Sequence, residues 1–168
     1  HVLDNVGEGL TRSDFTSGEA SPGLAESWTI SDDGLTYTFT LRDGITFHDD
    51  SPITAEAVVR SLSLYTNSED PSYTESFYMQ GGHGASNWAS LTAKDEKTVE
   101  LVLTAPDSTQ LHRVSRPSAE IISSSALDEF GGDIGTNYVG AGPFKIERFT
   151  PGQEAVLVAF EDYYAGRP

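Results

Sequence analysis

At 168 residues, with 37% hydrophobic and 10% aromatic content, the chain carries enough apolar side chain for one core and too little for two generous domains. Lys and Arg number 10 against 26 Asp and Glu, and the resulting net charge of −16 repels a phosphate backbone and anionic lipid, which disfavours nucleic-acid and charged-membrane partners and fits a well-solvated surface outside cells or a salt-loving source. A charged fraction of 21% mixed with apolar runs excludes a disordered tail, and the lack of cysteine excludes a disulfide framework, a thiolate metal site and a Cys nucleophile.

The chain opens at His1 with neither Met nor an apolar leader, which reads as a chain lacking its upstream stretch, and no run approaches the length of a membrane span. The first strong periodicity is Leu35 to Leu41, where Leu35, Tyr37, Phe39 and Leu41 alternate with Thr36, Thr38 and Thr40, the signature of a half-buried strand. Ser31, Asp32, Asp33 and Gly34 before it form a tight turn, so Trp28 to Ile30 is expected to pair back as a hairpin. Arg42, Asp43 and Gly44 make the next turn. Thr54 then caps an amphipathic helix in which Val58, Leu62 and Tyr65 recur at helical spacing.

Residues Asn67 to Ser90 are polar and rich in Gly, Ser and aromatics, with Gly81, Gly82 and Gly84 clustered, and read as a long loop of the kind that carries function. A charged turn at Lys94 to Lys97 leads into a strand marked by Val99, Leu101 and Leu103, which Pro106 closes. A short helix is expected around Gln110 to Val114. A second starts among Ser123 to Ser125, runs to Phe130 and stops at Gly131 and Gly132. Phe144 to Phe149 and Ala155 to Phe160, joined by a turn at Pro151 and Gly152, read as two antiparallel strands. There is no internal repeat, and the irregular alternation of strands and helices gives a mixed α/β or α+β class.

Two catalytic motifs are tested and fail. Gly135 and Gly140 have phosphate-loop spacing, but Ala141 and Gly142 stand where Lys and Ser or Thr are needed, and Pro143 opens a strand. No Gly-x-Ser-x-Gly elbow is present for a serine hydrolase.

The string Pro22-Gly-Leu-Ala-Glu-Ser-Trp28, followed by Ser31-Asp-Asp-Gly-Leu-Thr-Tyr-Thr-Phe-Thr-Leu-Arg42, resembles the signature of the extracytoplasmic solute-binding proteins that carry peptides and nickel complexes, family 5. The likeness continues through Gly44 to Asp50 and Thr54 to Val59, resumes at Gly140 and Gly142 to Lys145, and ends in Asp162-Tyr-Tyr-Ala-Gly-Arg-Pro168. His48, Asp49 and Asp50, which by themselves suggest a metal or acid–base group, match that family's strand-end turn. The resemblance implies a type II periplasmic-binding-protein fold of two lobes that close over a ligand. On that basis the chain is an N-terminal fragment, with approximately 1–30 and 120–168 part of the first lobe, 31–119 a small attached domain, and the second lobe absent.

The resemblance further implies the substrate-binding component of an ABC importer, which captures oligopeptides or nickel chelates outside the membrane and delivers them to a permease, without catalysis or a cofactor. Its place is extracytoplasmic, in the periplasm or on the cell surface as a lipoprotein. The nickel-binding branch tends to show a Trp in the long loop and an Arg-Pro pair further on, here Trp88 and Arg116 with Pro117, and a guanidinium fork suits the carboxylates of a metal chelator. Where that branch has a second Arg before the Trp, this chain has Ala85, with His83 nearby as a third candidate contact. Each also has a plainer reading: Arg116 as a surface ion-pair partner, Trp88 as a core aromatic, His83 as a polar loop residue. An ordinary peptide receptor, with Arg116 as the discriminator, therefore stays open beside the nickel reading. An extracellular hydrolase would require a nucleophile with an oriented base, and an adhesion module a sandwich of regularly spaced strands.

Overall fold

A computed structural model of the chain describes residues 3–14, 16–64, 87–116, 119–131 and 137–168. The elements are α1 (Leu3–Val6), β1 (Thr11–Asp14), β2 (Glu19–Pro22), β3 (Ala25–Ile30), β4 (Thr36–Leu41), α2 (Ala55–Ser63), β5 (Trp88–Ala93), β6 (Thr98–Leu103), α3 (Gln110–Arg113), β7 (Ser115–Arg116), α4 (Ser124–Phe130), β8 (Phe144–Thr150) and β9 (Glu154–Ala159). They form a three-stranded sheet in the order β2-β1-β7, a four-stranded sheet in the order β3-β4-β6-β5, and the hairpin β8-β9.

The four-stranded sheet is antiparallel throughout, and its inner face is set by strand alternation. Tyr37, Phe39 and Leu41 of β4 are buried beside Val99, Leu101 and Leu103 of β6, whereas Thr36, Thr38 and Thr40 are half-buried on the other face. The hairpin turn between β3 and β4 forms as its residues dictate: the Asp33 carboxylate accepts from the Ser31 hydroxyl (2.6 Å) and the Leu35 N–H (3.0 Å), and Gly34 takes a φ of +70°. Helix α2 is capped by Thr54, whose hydroxyl accepts from the Ala57 N–H at 3.2 Å, and it buries Ala55, Ala57, Val58, Ser61 and Leu62. Because β3 pairs with β4, this sheet takes in residues on both sides of position 30.

Four strands depart from the sequence expectation, among them the short β7 at Ser115–Arg116, which no pattern announced. β5 begins at Trp88, so the end of the stretch read as a loop is strand, and its 67–86 portion lies outside the described residues, as does Tyr65. β1 and β2, with sequences TRSD and EASP, show no apolar alternation; they pair with each other as a hairpin, and β1 is further held by its parallel pairing with β7 and by hydroxyl contacts.

Gly140 and Gly142 serve close packing. A Cβ on Gly142 would lie 2.6 Å from both the Val6 carbonyl carbon and the Gly7 oxygen, and the Gly142 N–H donates to the Val6 carbonyl at 2.8 Å. The His48 turn docks on the same crossing. Its N–H donates to the Gly140 carbonyl (3.0 Å), its ring Nε2 to the Gly142 carbonyl (2.9 Å), and Lys145 Nζ donates to the His48 carbonyl (3.0 Å). Asp49 accepts from the Ser51 and Ser123 hydroxyls, both at 2.5 Å. Each of these bonds ties the turn to neighbouring backbone, to Lys145 or to serine hydroxyls.

A buried polar clasp joins the start of the chain to its end. Glu8 is fully buried and accepts from Arg12 Nε and Nη2 (3.1 and 2.7 Å) and from the Tyr163 and Tyr164 hydroxyls (2.8 and 3.3 Å). The Arg12 guanidinium carbon lies 5.7 and 5.3 Å from the centroids of those two rings. Burial alone would lower the Arg12 pKa, but the Glu8 charge beside it and its bonds to Glu8 and Tyr164 hold it above its ordinary value.

Candidate ligand-contact site

Trp88 stands at the start of β5 opposite Leu103, half-buried and packed against the main core. Its indole Nε1 donates to the side-chain oxygen of Gln110 at 3.3 Å. Gln110 is the first residue of α3 and is fully buried. An indole N–H only donates, so the amide oxygen must face it and the amide nitrogen must point away.

Helix α3 runs through Val114 into β7, and hydroxyl groups clamp this α3–β7 unit to β1. Thr11 Oγ1 donates to the Leu111 carbonyl (2.5 Å), Ser13 Oγ lies 2.8 Å from His112 Nδ1 and 2.7 Å from Ser115 Oγ, and Ser115 Oγ donates to the His112 carbonyl (2.6 Å). β7 then runs parallel to β1 with Thr11 opposite Ser115 and Arg12 opposite Arg116. The structure thus places the Arg116 backbone in a strand beside Arg12; its side chain, Pro117, Ala85 and His83 lie outside the described atoms. Of the three residues singled out in the sequence, Trp88 is tied through Gln110 to the helix that leads into Arg116.

A flat aromatic with a fixed N–H and a strand ending in arginine suit reversible contact with a ligand that has an apolar body and a carboxylate. Ser13 and His112 make a hydroxyl–imidazole pair, and no carboxylate bond to the other ring nitrogen of His112 occurs among the described residues. No group of His, Asp and Glu able to hold a metal ion occurs among the described residues. Gln110 was missed at the sequence level, since a glutamine in a short helix gives no sign of burial until β5 and α3 meet. The same holds for Glu8 and Arg12, whose partners Tyr163 and Tyr164 lie at the far end of the chain.

Residues 19–168 match the family model described as bacterial extracellular solute-binding proteins, family 5 Middle. Among curated proteins, the glutathione-binding protein GsiB of Salmonella typhi is 34% identical over 141 residues, covering 84% of this chain and 26% of its own length. Among solved structures, the periplasmic binding protein DppA from Helicobacter pylori in complex with peptide STSA superposes with a TM-score of 0.84 at 27% identity, over 97% of this chain and 35% of that one. NikZ from Campylobacter jejuni in complex with Ni(L-His) gives 0.83 at 26%, over 99% and 32%. MoaA from A. tumefacien R10 in complex with mannopinic acid gives 0.86 at 31%, over 99% and 33%. The chain therefore spans about a quarter of the length of its curated relatives and has the fold of part of a periplasmic binding protein lobe.

Proposed function

The chain belongs to family 5 of the bacterial extracellular solute-binding proteins, and from that membership we propose that it forms part of the substrate-binding component of an ABC importer. It captures oligopeptides or nickel–chelate complexes outside the membrane and hands them to a permease, as a periplasmic protein or a cell-surface lipoprotein. The observation that supports the reading is the Trp88–α3–β7 unit: a half-buried aromatic and a strand ending in Arg116, held together on β1. The ligands named for the relatives, glutathione, the peptide STSA, Ni(L-His) and mannopinic acid, share the carboxylate that a guanidinium binds through two charge-assisted bonds. Arg116 takes that carboxylate, Trp88 covers the ligand's apolar part, and His83 supplies a further polar contact.

Function on this reading is binding without chemistry. Contacts from two lobes favour the closed state by their differential affinity for it, and the permease responds to closure. Approximately residues 1–30 and 120–168 contribute to the first lobe and 31–119 to the small domain attached to it, with β3 at the join pairing across into β4.

The test is thermal unfolding of the full-length protein with glutathione, the STSA peptide and Ni(L-His). A probe at 100 times its Kd stabilises the folded state by about 2.7 kcal/mol. Loss of a charged hydrogen-bond partner in Arg116→Ala weakens that probe by about 1.5–3 kcal/mol, roughly tenfold or more. A shift with Ni(L-His) that Arg116→Ala cuts by about half or more supports the nickel reading, and a shift with peptides alone makes it a peptide receptor. No shift with any probe, together with turnover of an ester or peptide substrate, overturns solute capture.

A further inference from the structure

We propose that Gln110 is a positioning residue for ligand capture: its side-chain oxygen accepts the Trp88 indole N–H and sets the angle at which the ring meets the ligand. The inference rests on Trp88 being a wall of the ligand cleft. Gln110 has no exposed surface, and with its oxygen committed to Trp88 its amide nitrogen has no hydrogen-bond partner among the described residues. A buried N–H without an acceptor is unfavourable, and a methionine would fill a similar volume without that cost. The bond to Trp88 is therefore what the amide contributes at this position: it satisfies the indole N–H while leaving its own N–H groups unpaired among the described residues.

Two further observations show the same ring being aimed. The pairing of β5 with β6 shifts register between Trp88 and Ser90, and irregularities of this kind redirect side chains near functional sites. The residue before the ring is pinned, since the Asn87 carbonyl accepts from the Thr104 N–H (2.7 Å) and the Thr104 hydroxyl (3.2 Å). The helix that carries Gln110 is itself fixed to β1 through Thr11 and Ser13, so the acceptor is presented from a rigid support. Backbone pinning sets where the indole starts, and Gln110 sets its rotation about the side-chain bonds.

The experiment is a double-mutant cycle in the full-length protein, with calorimetric titration of glutathione, the STSA peptide and Ni(L-His). Gln110→Met removes the acceptor and keeps the volume, and Trp88→Phe removes the N–H. The expected result is a loss of about tenfold in affinity for the bound probe on Gln110→Met, and no further loss when it is added to Trp88→Phe. The indole N–H resonance, identified by its loss in Trp88→Phe, is expected to exchange faster with solvent in Gln110→Met. Native affinity in Gln110→Met, or the same loss in both backgrounds, overturns the positioning role. If Trp88→Phe itself leaves affinity unchanged for every probe, or the wild type binds none, the cleft assignment of Trp88 fails and the inference falls with it.

Discussion

Replacing Glu8 by Ala is expected to be among the most destabilising single changes in the chain. Glu8 is fully buried, and its carboxylate receives two bonds from Arg12, one each from Tyr163 and Tyr164, and one from the Gly9 N–H at 3.2 Å. Removing one member of a buried pair leaves the other charge uncompensated, at a cost of about 3–5 kcal/mol. The Arg12 side chain retains 33% of its exposure and regains some hydration, which puts the expected loss near the lower end, about 3 kcal/mol. With a denaturant slope of about 1–3 kcal/mol/M in urea, that moves the unfolding midpoint down by roughly 1 M or more at unchanged slope. Tyr163→Phe removes one bond and costs about 1 kcal/mol in the native background. In the Glu8→Ala background it costs less, because the acceptor has already gone. A Glu8→Ala loss below about 1 kcal/mol, or strict additivity with Tyr163→Phe, would refute the clasp.

The remaining predictions concern salt and acid. With a net charge of −16, self-repulsion destabilises the compact state, whereas the ion pairs Arg60–Asp128, Arg148–Glu154 and Arg167–Glu161 are largely exposed, screened by solvent and contribute little. Screening relieves more than it removes, so the melting temperature is expected to rise between about 0.05 and 1 M NaCl, where the Debye length falls to about 3 Å; a fall over that range contradicts this balance. Burial holds the His48 pKa below its ordinary value; the bond to the Gly142 carbonyl opposes this, nearby Lys145 adds to it, and Asp49 opposes it. A depressed folded pKa means that the unfolded chain binds the proton more readily, so the stability from neutral His48 is complete above about pH 6.5 and is lost as pH falls through the folded value. Asp49 has the same sign in a lower window: burial raises its pKa, but the Ser123 and Ser51 bonds outweigh that, and its contribution is lost only below about pH 4. Urea midpoints measured from pH 8 to 5 are expected to fall, and His48→Gln to flatten that slope; an unchanged slope in the variant removes His48 as the cause.

How far the fold could be read from the sequence depended on whether an element's stabilising partners were local. β4 was legible because Tyr37, Phe39 and Leu41 alternate with threonines, and only one face of such a strand can be apolar. α2 was legible from the Thr54 cap and the spacing of Val58 and Leu62, and β8–β9 from the turn at Pro151 and Gly152 between two apolar runs. β1 was not. Its residues Thr11, Arg12, Ser13 and Asp14 have no alternation to detect, and they are held by partners about a hundred positions on, Leu111, His112 and Ser115. A strand anchored by hydroxyls looks like a loop until its partners are beside it.

The same reasoning explains why the candidate site was only half visible. The resemblance pointed to Trp88 and Arg116 as separate marks in a pattern, and a pattern carries no information about what connects them. In the structure the connection is one short helix: Gln110 at its start takes the Trp88 N–H, and its end continues into β7 and Arg116. Four helical residues have little intrinsic stability, so the position of α3 is fixed from outside, by Thr11 and Ser13 on one side and Trp88 on the other. A change that loosens α3 therefore acts on the aromatic wall and on the arginine strand together. On the proposal that Trp88 and Arg116 contact the ligand, affinity would depend on residues that never touch it, which is the class of residue that motif reading passes over.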